Sequence, residues 1–147
     1  MLDKNVRMAA AMSIDKKAIA DKLLRGEQPT LYAYPGEPDG MLRDYVYVED
    51  VARASLLALE AGGGECLNIG TGLSTTTGAL YRELAALIDR GRTEPGRKGP
   101  PQPRLAAARP GDLRASCLDI ARAGRVLGWK PAVPLPEGLS RTVACFS

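Results

Sequence analysis

Histidine is absent from all 147 residues. That removes the Ser-His-Asp and Cys-His routes to a nucleophile, and the commonest zinc ligand with them. Aromatic residues make up only 5% of the chain, with one tryptophan and one phenylalanine. Aliphatic residues and alanine must therefore fill the core. The three cysteines, Cys66, Cys117 and Cys145, form no CxxC pair. An odd, widely spaced set predicts buried free thiols in a reducing compartment, with no disulfide framework and no metal site. No apolar run nears the roughly 20 residues that span a bilayer. The opening stretch "MLDKNVRMAAAMSIDKK" also lacks the sustained apolar run of a secretion signal. A cytoplasmic setting with no membrane partner is the expectation. Net charge is only +3, too little to argue for a nucleic-acid partner. The basic cluster "RGRTEPGRKGPPQPR", Arg90 to Arg104, offers either a phosphate-binding arm or a solvated loop. With no aromatics among its charges, the solvated loop is expected.

What is present suits one domain with a modest core: 45% hydrophobic and 25% charged residues. Ile14 to Arg25 has a helical apolar face and stops at Gly26. "PTLYAY" is β-prone, and "YPGEPDGM" is a loop. "RDYVYV" alternates and predicts a strand. Asp50 is placed to cap the following helix, "DVARASLLALEA", which Gly62 to Gly64 end. "CLNIG" predicts a short strand. Ser74 or Thr75 caps a long helix over "TTGALYRELAALIDRG". Gly91 to Arg109 reads as a long loop without periodicity. "LRASCLD" is a short extended piece. Asp119 caps "IARAGRVLG", and Pro136 sits near the first turn of a last helix, "LPEGLSRTVACF". The order is an α/β mixture with too few strands for a full doubly wound sheet.

Three motifs carry possible chemistry. "NIGTG", Asn68 to Gly72, has glycines but lacks the continuation of a dinucleotide loop, so a tight turn is expected. Arg43 opens "RDYVYVEDV" after a Gly-rich loop. Its planar fork suits phosphate oxygens, and a surface salt bridge, with Asp44 as a structural ion partner, is the equal alternative. "RPGD" projects Arg109 and Asp112 from a Pro-Gly turn. Arginine there suits a diphosphate and the carboxylate suits a ribose hydroxyl pair, although four residues alone also make an ordinary turn.

"LLRGEQPTLY", "RDYVYVEDVARASLLALE", "LNIGTGLSTT", "ARPGDLRASCLDIARAGRVLGWKP" and "EGLSRTV" occur in this order. Together they resemble the C-terminal half of the NAD-dependent epimerase/dehydratase family, the extended short-chain dehydrogenases, above all the UDP-glucose 4-epimerase branch. The resemblance runs from about Lys22 to Phe146; residues 1–21 fit poorly. It implies the substrate-binding part of an α/β enzyme, without the N-terminal Rossmann half that holds NAD. It implies that Arg43 and Arg109 contact the nucleotide diphosphate and that Asp112 holds a ribose hydroxyl. Thr30, Leu31 and Tyr32 would receive the uracil. Asp50, Asn68, Gly70 and Trp129 match positions that cap, turn and pack, with Trp129 buried.

The chain also departs from that family. The glycine-rich NAD loop is missing from it, and no tyrosine is followed four residues on by a lysine. In the family that tyrosine acts as base and the lysine holds the cofactor ribose. Where the family often has "YGDG", this chain has "YAYPGEPDG". The resemblance thus implies a UDP-sugar-binding chain that binds no NAD and is inactive alone. The parent reaction would be NAD-dependent interconversion of UDP-glucose and UDP-galactose. A non-catalytic binding or regulatory module, a decayed remnant, and part of another nucleotide-sugar dehydratase or reductase are the alternatives. A separate Rossmann-half chain or self-association would cover the apolar surface such a piece exposes.

Overall fold

The computed structural model describes residues 27–91 and 99–145. The helix expected over Ile14 to Arg25 and part of the Gly91–Arg109 segment lie outside them. Among the described residues, two small sheets and four helices form a mixed α/β fold. Strand β1 (Thr30–Ala33) pairs in parallel with β4 (Arg104–Ala107), Thr30 opposite Arg104. A central β2 (Leu42–Asp44) lies between β3 (Ser74–Thr76), antiparallel, and β5 (Ala115–Ser116), parallel.

Helix α1 (Val48–Glu60) follows β2, and α2 (Thr77–Arg90) follows β3. Helices α3 (Ala121–Leu127) and α4 (Leu135–Ala144) close the described chain. Among the described residues the core has two centres. Leu80, Leu84 and Ile88 of α2 pack against Leu139 of α4 and against Tyr45. Ala54 of α1 packs against Ala123 and Leu127 of α3 and against Trp129. As expected, Trp129 is buried; its indole N–H donates to the Asp50 carbonyl at 3.0 Å.

Several local expectations are corrected. "RDYVYV" stays a strand only to Asp44, because Tyr45 and Val46 turn inward to the core and α1 begins at Val48. Asp50 does not cap α1. Its buried carboxylate accepts from the backbone N–H groups of Ala132 and Val133 at 3.0 Å and pairs with Arg53 at 2.5 Å. Thr76, not Ser74 or Thr75, caps α2 by accepting from Ala79 N–H, since Ser74 and Thr75 belong to β3. "CLNIG" forms no strand; its residues alternate in burial without joining either sheet. Part of the long loop is β4, recruited by β1. Cys66, Cys117 and Cys145 are exposed rather than buried, because none falls on a buried face. Asp119 does act at the start of α3, accepting from Ala121 N–H at 2.9 Å.

Candidate functional site

The cavity that gathers the predicted site residues has a volume of about 390 Å³ and lies against the edge of β1. Thr30, Leu31, Tyr32, Arg43, Arg109 and Asp112, the residues singled out from sequence, all line it. Met41, Thr77 and Tyr81 line it too and were not anticipated. Tyr81 sits on the apolar face of α2, so its pattern reads as core. Its hydroxyl leaves that core to donate to the Pro101 carbonyl, and burial raises its pKa. No signal in the sequence separates it from an ordinary core tyrosine.

Arg109 and Asp112 project from one turn. Asp112 N–H donates to the Arg109 carbonyl at 3.0 Å, and the Asp112 carboxylate accepts from Arg109 N–H at 2.8 Å. Pro110 presets the first corner, and Gly111, at φ 85°, takes the left-handed second corner that a side chain resists. The Arg109 guanidinium lies 4.0 Å from the centre of the Tyr32 ring and donates to the Tyr32 hydroxyl. That bond raises the pKa of Arg109 further, followed by the charge interaction with Tyr32.

Arg43 comes from β2. Its guanidinium donates to the Leu42 and Leu113 carbonyls at 2.7 and 2.8 Å and lies against Met41 Sδ. Asp44 is not its partner, contrary to the alternative weighed from sequence. The Asp44 carboxylate points the other way and accepts from Thr71 N–H at 2.7 Å, Gly72 N–H at 2.9 Å and Leu118 N–H at 3.3 Å. Among the described residues, neither Arg43 nor Arg109 pairs with a side-chain carboxylate, whereas Arg53, Arg82, Arg114, Arg122 and Arg141 all do. The cavity wall thus carries two guanidinium groups and one carboxylate, Asp112, whose charge also acts on Arg109. Such a wall attracts an anion with several oxygens.

The glycine turn at Asn68 to Gly72 has a different use. Asp44 fills it: a Cβ at Gly70 would stand 2.6 Å from the Asp44 carboxylate. The N–H groups that could face a dinucleotide's phosphates are already donating to Asp44, so NAD does not fit this turn. The N-terminus of α2 is likewise occupied from within, by Asp39, which takes the Thr76 hydroxyl and pairs with Arg82 at 2.5 Å. Among the described residues no three histidine, cysteine or acidic side chains cluster as a metal site. No helix there is long and apolar enough to cross a membrane.

The sequence model for GDP-mannose 4,6 dehydratase matches residues 12–142. The chain is 43% identical over 105 residues to a UDP-glucose 4-epimerase of Mycolicibacterium smegmatis, covering 71% of this chain and 31% of that protein. Its fold matches the UDP-glucose 4-epimerase of Thermotoga maritima, solved with UDP-glucose, at a TM-score of 0.74 and 40% identity, over 89% of this chain and 38% of that one. The Thermus thermophilus UDP-glucose 4-epimerase, solved with NAD, gives 0.72 and 36%, over 89% and 39%. The chain thus spans about a third of the length of the relatives it matches.

Proposed function

The chain belongs to the NAD-dependent epimerase/dehydratase family, and we propose that it is the part that grips a UDP-sugar. The observation that carries this is the cavity wall, with two guanidinium groups beside a carboxylate that share one opening with β1. Arg43 and Arg109 hold the diphosphate oxygens. Asp112 accepts a hydrogen bond from a ribose hydroxyl. Thr30, Leu31 and Tyr32 supply strand backbone and an aromatic ring to the base. When the ligand arrives, Arg109 must exchange its contact with Tyr32 for the phosphates.

The redox step lies elsewhere. In the family NAD supplies the hydride acceptor, and a tyrosine with its lysine supplies the base. This sequence lacks that pair, and Asp44 fills the glycine turn at Asn68 to Gly72. Its own residues bind and orient the nucleotide and so contribute specificity. Leu56 and Leu59 on α1 are 65% and 76% exposed, which suits a chain that associates with a partner or with itself.

Calorimetric titration with UDP and UDP-glucose tests the assignment. Saturable heat is expected, and it should vanish in Arg109→Ala. No heat from any uridine nucleotide would overturn the reading. Turnover of UDP-glucose to UDP-galactose by the purified chain with added NAD would overturn the division of labour.

A further inference from the structure

The geometry points to Tyr34 as a positioning residue that holds the Asp112 turn and thereby sets the cavity's preference for a ribose-bearing nucleotide. This rests on the UDP-sugar reading above. Tyr34 does not line the cavity. It lies just beyond β1, inside "YAYPGEPDG", where the chain departs from the pattern of its family.

Three consecutive carbonyls after the Pro-Gly turn are each held by a donor from the β1–β2 region. The Tyr34 hydroxyl donates to the Asp112 carbonyl at 2.5 Å. Arg43 donates to the Leu113 carbonyl at 2.8 Å, and Leu42 N–H to the Arg114 carbonyl at 3.1 Å. The last two bonds anchor the segment to β2. The first alone fixes Asp112 on its C-terminal side, one residue after the left-handed Gly111. With the Asp112 N–H bound to Arg109 and its carbonyl bound to Tyr34, the two peptide planes that flank Asp112 are each held by a hydrogen bond.

Tyr34 is itself held in place. The Arg114 guanidinium lies 4.7 Å from the centre of its ring and pairs with Glu37 at 3.2 Å. Glu37 N–H donates back to the Tyr34 carbonyl at 3.0 Å. Ring, cation and carboxylate form a closed loop around the phenol. A carboxylate that reads a hydroxyl must stay within a few tenths of an ångström of its place. Tyr34 supplies that constraint without touching the ligand.

Tyr34→Phe keeps the ring and its arginine and removes only the hydroxyl. UDP affinity should fall about 3- to 10-fold, as for loss of one hydrogen bond. Affinity for 2′,3′-dideoxy-UDP should stay within about twofold, because it has no hydroxyl for Asp112 to read. Equal losses for both ligands, or none for either, overturn the proposal. Amide exchange in the ligand-free chain provides the second measurement. Residues 109–114 should exchange faster in Tyr34→Phe while α2 is unchanged; unchanged exchange at 109–114 overturns the tether. Should the parent chain bind neither nucleotide, the UDP-sugar reading falls, and exchange alone decides whether Tyr34 holds the turn. Arg114→Ala, which leaves the hydroxyl but uncovers the ring, should shift both readouts in the same direction and less.

Discussion

Asp44 and Asp50 both face inward and are satisfied by backbone N–H groups from later in the chain, Thr71, Gly72 and Leu118 for one, Ala132 and Val133 for the other. Arg43 and Arg109 face the cavity and, among the described residues, find carbonyls, a thioether and a phenol, but no carboxylate. Arg43 and Asp44 are adjacent in sequence, yet the two kinds of group serve different ends. A carboxylate tied to backbone amides fixes distant segments and is spent on the fold. A guanidinium tied only to neutral acceptors is positioned but keeps its charge for something else. Replacing the aspartates should therefore cost stability, and replacing the arginines should cost binding.

The largest expected effect is on the aspartate side. Asp50→Ala leaves the Ala132 and Val133 amides without their acceptor and leaves Arg53 with the Lys130 carbonyl. It should destabilise the chain by about 2–3 kcal/mol, as for loss of hydrogen bonds to a charged group. Urea unfolding reads this; a loss under about 1 kcal/mol would break the comparison. Next comes Arg109→Ala. It should weaken UDP binding by about 10- to 100-fold, as for loss of a charge-assisted hydrogen bond. Its unfolding midpoint should barely move, since Arg109 is exposed. A matching fall in stability would show that the cavity arginines are structural after all.

Two pH effects sharpen the same contrast. Burial pushes the Tyr45 phenol up to about 12, against the pull of Arg43. A raised phenol contributes stability that is present below its ordinary value of about 10, and that stability is lost as pH rises through about 12. Tyr45→Phe should flatten the alkaline limb of a denaturation profile; an unchanged limb would remove Tyr45 as its cause. The smallest effect belongs to Asp39. Hydrogen bonds from Arg82, then from Thr76, hold its carboxyl below the usual range. Its stability is present above about pH 4 and is lost as pH falls through the depressed value. The side chain is 42% exposed, so solvent screening limits this to about 0–1 kcal/mol. Asp39→Asn should shallow the acid limb without altering nucleotide binding.

Much of this was legible in the sequence because it is local. The Pro-Gly turn that aims Arg109 and Asp112 needs only four residues. The apolar spacing of α2 and α4 identifies their buried faces. What escaped is long-range. "RLAA" carries no alternation and becomes β4 only because β1 offers an open edge. Asp50 has the chemistry of a cap, but Ala132 and Val133 compete for its oxygens and win. Met41, Thr77 and Tyr81 reach the cavity through the packing of β2 and α2, which no window of adjacent residues records.

The parallel pairing of Thr30 with Arg104 has a consequence in time. One wall of the cavity is complete only when both strands exist, and its charged turn follows β4. A ribosome adds roughly 5–20 residues per second, so β1 must wait several seconds for its partner. During that interval "TLYA" is an unpaired apolar strand edge, available to any other extended chain nearby. A nucleotide gives it little help, because Arg109 and Asp112, two of the groups that would hold the nucleotide, have not yet been made.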